Sequence, residues 1–162
     1  MITPLVICLL LILPLVVTAA VGQITRIHGL TMLGGITGLS LAYFFFASGH
    51  FMRTEGMIEM LPSFVPMRKT LIVVTGVWEI GIAICLLIPH TRRIAGIASI
   101  VTLIAFFPAN IFAAMNEVGL GGHQWGAEYL LIRAPLQILL IGWSYVFAVR
   151  SGTKLQSWRN VN

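Results

Sequence analysis

Charge is what this chain has least of. Only 9% of its 162 residues are Asp, Glu, Lys or Arg, while 58% are hydrophobic. A soluble chain of this length could not hide that much apolar surface in one core, so lipid must cover it. The ten Lys and Arg outnumber the five acidic residues. No basic stripe interleaved with exposed aromatics accompanies them, which excludes a nucleic-acid reading. Only two cysteines occur, Cys8 and Cys85, in separate apolar runs and without C-x-x-C spacing. This excludes a thioredoxin-like or zinc role and predicts two inert thiols packed as small hydrophobes. Flavin, haem and iron–sulfur motifs are lacking too, as are internal repeats, low-complexity tracts and any second domain. The Met-rich stretch around Met52, Met57, Met60 and Met67 has no metal-ligand spacing and reads as interfacial packing, so no metal is expected.

What the chain has instead is five apolar stretches, at 2–22, 29–52, 70–89, 94–115 and 129–149. Each is about the twenty residues needed to cross a bilayer. Lipid offers no hydrogen bonds to an open backbone, so the stretches are expected to be helices. The predicted fold is an all-α integral membrane helical bundle of five spans. The first stretch has no preceding Lys or Arg, unlike a signal peptide, and is expected to be a retained helix.

Loop charges alternate in density. One set holds Arg26, Arg92, Arg93, Arg150, Lys154 and Arg159; the other dilutes Arg53, Arg68 and Lys69 with Glu55, Glu59, Glu117 and Glu128. The positive-inside rule then places the N-terminus outside and a tail of residues 150–162 in the cytoplasm. The expected location is the inner (plasma) membrane of a bacterium. The loop 53–69 lies outside; its TEGMIEML segment is expected to form a short interfacial helix, ended by Pro62 and Pro66. Gly119, Gly121 and Gly122 favour turns in the loop 116–128. Trp125 and Tyr129 fit an aromatic belt, and Trp158 a tail anchor. Gly34 and Gly38 form G-x-x-x-G, extended by Ala42; this small-residue stripe is expected to pack another helix of the same chain, with a homodimer seam as the alternative.

A few polar residues interrupt the apolar runs. A charge in a span costs roughly 2.5–3.5 kcal/mol on insertion scales and marks a partner or a site. Glu79 lies in VVTGVWEIGIAICLL and Arg133 in LLIRAPLQILL, with opposite signs, so the two are expected to meet. Helical rise puts Glu79 about 14 Å below the outer surface, Gln137 about 12 Å, Asn110 about 8 Å and Arg133 about 6 Å, with His50 just below it. Arg133 and Gln137 share a face. Pro108 and Pro135 each remove a backbone donor and are expected to kink their helices around this cluster. The ligand-binding candidates are therefore His50, Glu79, Asn110, Arg133 and Gln137. Structural roles stand beside them: a Glu79–Arg133 pair that sets register, an Asn110 that caps freed carbonyls, and a His50 that meets water or headgroups.

The string SGHF, a following M-L-P-x-x-x-P loop, GVWEIG, LLIPHTRR, FPANI and finally R-A-P-L-Q-x-L-L-I-x-W together resemble the DoxX-like family of small membrane proteins, over Gly38 to Val149. The resemblance implies a four-helix membrane core, to which the first helix would be an addition. Its family-like positions here are Gly49, His50, Pro62, Gly76, Glu79, Pro89, Pro108, Asn110, Arg133, Pro135 and Gln137. Some members of that family are small subunits of thiosulfate:quinone oxidoreductases, and others are linked to membrane redox complexes or to receptor assembly. With Arg133, Gln137, Asn110 and Glu79 as headgroup partners, one expectation is a quinone-interacting small subunit of a membrane oxidoreductase, with quinone as ligand and a partner protein as electron donor. No self-contained catalytic motif is present, so any enzymatic role is that of a subunit. A non-enzymatic scaffold or assembly factor, itself able to form homo-oligomers, is the alternative. A permease is disfavoured by the apolar inner half and the lack of inverted repeats.

Overall fold

The computed structural model describes residues 2–27 and 29–150. Among these residues the fold is all-helical. Its helices are α1 (Ile2–Thr25), α2 (Leu30–Met52), the short α3 (Thr54–Glu59), α4 (Arg68–Leu87), α5 (Arg92–Met115) and α6 (Leu130–Trp143). A 3₁₀ segment, His123–Tyr129, leads into α6, and a π-helical segment, Ser144–Arg150, continues it. Five of these units are long and apolar enough to cross a membrane, the last being His123–Arg150 as a whole. The protein is an integral membrane helical bundle. Leu5, Leu9, Val74, Val77, Ile94 and Ile138 point outward, where only lipid can cover them. Of the tail, only Arg150 is described; Lys154, Trp158 and Arg159 lie outside the described residues.

α2 is the centre, with α1 on one side and α4 on the other. The small residues decide the first contact. A methyl group on Gly38 would come within 2.7 Å of the Leu11 carbonyl oxygen and 2.9 Å of that of Leu10, and one on Gly34 would meet the backbone at Pro14. The G-x-x-x-G stripe is thus occupied by α1 of the same chain. Pro14, inside α1, has no N–H for the Leu10 carbonyl, which lies beside Gly38.

Hydroxyls and indoles join the remaining helices. Ser40 donates to the Ala83 carbonyl (2.8 Å), Tyr43 to Ser99 O (3.0 Å), and Trp143 Nε1 to Gly35 O (2.8 Å). Ser99 and Ser144 bond to one another at 2.8 Å, beside Gly96, whose missing methyl would lie 2.6 Å from Ala148 Cβ. Interhelical bonds of this kind contribute about 0.6 kcal/mol each in a membrane, so they set register more than stability.

Several boundaries differ from the sequence expectation. α4 and α5 each start two residues earlier, at Arg68 and Arg92. Arg92 is not a free loop charge: its buried side chain donates to the carbonyls of Leu86 (3.1 Å) and Leu87 (3.5 Å), capping the end of α4. The last span is not one α-helix but three successive helical forms. Gly126, at φ 65° and ψ −151°, sits where only glycine is at ease, and this breaks the approach to α6. Cys8 and Cys85 are free and half-buried.

Candidate functional site

The end of the bundle that carries α3 encloses a cavity of about 760 Å³, within the range of small-molecule sites. Its depth is set by Tyr43, Thr102, Leu103 and Gln137; its roof is formed by Met57 and Met60 of the α3 region and by Gly119, Leu120 and Gly121. Phe45, Phe46, Leu71 and Phe106 supply apolar walls. The polar groups that face it include His50 on α2, Thr75 and Glu79 on α4, Thr102 on α5, His123 and Tyr129 on the 3₁₀ segment, and Arg133 and Gln137 on α6.

His50 lies two residues before Met52, the end of α2, yet its ring is buried, 7% exposed. Gly76 makes the room, since a methyl there would stand 2.7 Å from His50 Cβ. The ring is therefore pressed onto α4. Its Nδ1 donates to the Ile72 carbonyl at 2.8 Å, with the Thr75 hydroxyl 3.2 Å away. Its Nε2 lies 3.3 Å from Glu79 Oε2, the sole close acidic–basic contact among the described residues. That approach is off-line: Oε2 has no well-aligned hydrogen bond. Glu79 itself is 3% exposed.

This corrects the expected pairing. Glu79 meets His50, and Arg133 has no described carboxylate within 4 Å. Arg133 stays near enough to interact electrostatically with Glu79 and with Tyr129. Its guanidinium makes no hydrogen bond to a described residue, and its buried Nε has no partner. His50 likewise departs from a solvated position at the surface. Helical rise locates a Cα along the membrane normal, but the His50 side chain turns inward and reaches the level of Glu79.

Gln137 lines the cavity and donates to the Leu103 carbonyl, tying α6 to α5. Asn110 does not line it. Its amide donates to Phe106 O at 2.9 Å, one turn back in its own helix, so its role is capping beside Pro108. The carbonyl it takes is Phe106's, not that of residue 104, which Pro108 leaves free. Both Pro108 and Pro135 lie inside helices that continue past them. Gly34 and Gly38 face α1, away from the site.

Two site residues went unread in the sequence. His123 is buried; its Nδ1 donates to Leu120 O at 2.7 Å, its Nε2 has no partner, and its ring meets Tyr129 edge-on at 5.0 Å. Tyr129, expected in the aromatic belt, is 2% exposed and faces the cavity. Trp125, 60% exposed, retains a belt position. A histidine six residues before a tyrosine, in a glycine-rich loop leading into an arginine-bearing span, was the available signal. No group of three His, Cys, Asp or Glu positioned for a metal occurs among the described residues.

A family model described as "Domain of unknown function (DUF8561)" matches residues 39–148. The match begins midway along α2, omits α1, and includes every polar residue that faces the cavity from α2, α4, the 3₁₀ segment and α6. No curated protein and no solved structure matches the chain.

Proposed function

We propose, for a chain that belongs to the family described as a domain of unknown function (DUF8561), that the cavity holds the headgroup of a membrane quinone. In this reading the protein is a quinone-interacting small subunit of a membrane oxidoreductase. One observation carries it: an unpartnered arginine and a His–Glu contact face the same cavity from different helices, within apolar walls. A quinone needs hydrogen-bond donors for its carbonyls and a dry channel for its tail, at moderate depth. Arg133 can donate to a carbonyl oxygen, and Tyr129 can add a hydroxyl. The His50–Glu79 contact can hold a proton beside the ring. A bound quinone would supply the redox chemistry; electrons would come from a partner protein. The resemblance to DoxX-like proteins supports the same reading. The loop charges support an orientation with the N-terminus outside, so the cavity opens toward the outer face of a bacterial plasma membrane.

The scaffold alternative loses one support, because the glycine stripe that could join two chains is already covered by α1. Titration of the purified protein with a short-chain quinone, followed by quenching of tryptophan fluorescence, tests the quinone reading. Saturable binding is expected for the wild type, weakened at least about tenfold in Arg133→Ala by loss of a charge-assisted bond. The same null response from wild type, Arg133→Ala and Glu79→Gln would sink it.

A further inference from the structure

A carbonyl oxygen only accepts, so the 2.8 Å contact with Ile72 O requires a proton on His50 Nδ1. A neutral His50 then presents a lone pair at Nε2. That atom lies 3.3 Å from Glu79 Oε2. An ionised carboxylate would set lone pair against lone pair, at close range, in a site screened from water. One further proton must therefore be held by the two residues together. Whichever residue carries it, the pair has no net charge.

Glu79 is thus already matched and cannot neutralise Arg133. The other four carboxylates of the chain, Glu55, Glu59, Glu117 and Glu128, are exposed, and none lies within 4 Å of the guanidinium. Arg53 at the cavity lining adds positive charge, and His123 offers a ring nitrogen with no partner. A half-buried guanidinium whose buried Nε has no partner, with no described carboxylate within 4 Å, is costly in a membrane.

From this we infer that the molecule bound in the cavity carries a negative charge on its headgroup, and that Arg133 is its counter-ion. The ligand class is an anionic oxygen headgroup on an apolar body, such as an acidic hydroxyquinone or a long-chain carboxylate. The inference rests on the cavity being a ligand site, as proposed above, but not on the ligand being a quinone.

Two matched probe pairs test it on the full-length protein in zwitterionic nanodiscs at mildly alkaline pH. One pair is a hydroxynaphthoquinone, ionised there, and its neutral methyl ether. The other is a medium-chain fatty acid and the alcohol of equal length. The anionic member of at least one pair is expected to bind roughly tenfold or more tightly, the margin of a charge-assisted over a neutral hydrogen bond. Arg133→Gln should equalise the members of that pair, and Arg133→Lys should keep a preference. Should Arg133→Gln fail to fold, the wild-type ratio and Arg133→Lys still decide. A preference confined to the fatty acid, with neither quinone bound, upholds the charge inference and ends the quinone reading. Equal or tighter binding of the neutral naphthoquinone, with no preference in the other pair, upholds the quinone reading and ends the charge inference. Binding of none of the four overturns both.

Discussion

At position 76 a hydrogen stands where any other residue would place a carbon 2.7 Å from His50 Cβ. That vacancy lets the His50 ring lie on α4, bonded to Ile72 and facing Glu79. Gly76→Val must therefore push His50 off α4 or part the two helices. Overpacking of this kind costs about 1–3 kcal/mol. The expected result is a lowered unfolding midpoint in detergent, together with weakened ligand binding; an unchanged midpoint and unchanged binding would contradict the proposed packing. The importance of Glu79 and Arg133 was legible from their price in a lipid environment, but the identity of Glu79's partner was not. Opposite charge favoured Arg133, whereas geometry chose a histidine whose backbone lies nearer the surface. Rise per residue says where a helix puts a Cα; it does not say which way a side chain turns. Asn110 shows the converse, since it lies at a suitable depth but spends its amide on its own helix.

Among the elements, hydropathy marked every span, because the length of an apolar run must match the bilayer. Helix ends were less legible, since Arg68 and Arg92 begin helices as readily as they populate loops. Least legible was the last span, where a 3₁₀ turn, an α-helix and a π-helix follow one another. Its hydropathy is that of any span, and the change of form depends on Gly126 and on packing of Ser144 and Ala148 against α5. The glycines of α2 lie against α1, a partner that the small-residue stripe does not itself name. The loops carry the orientation, which thiol labelling checks in a background without Cys8 and Cys85. A membrane-impermeant reagent applied to intact cells is expected to label Gly56→Cys on α3 and to spare Arg93→Cys at the start of α5. The reverse pattern would invert the topology and turn the cavity toward the cytoplasm.

The molecule as a whole divides into two unlike ends. Near the α4–α5 turn the bundle is closed by small residues and short hydroxyl bonds, with Arg92 satisfied by backbone carbonyls. Near α3 it is held apart around about 760 Å³ and keeps an arginine without a partner. A structure that only needed to be stable would gain by filling the second end as it fills the first. The central claim is that this space is a site for a membrane-borne amphiphile. Native mass spectrometry of the protein released from its own membrane tests that claim most directly. The account predicts one small amphiphilic molecule retained per wild-type chain and lost from Arg133→Ala. A wild-type chain that emerges bare, or an adduct that survives Arg133→Ala undiminished, would contradict it.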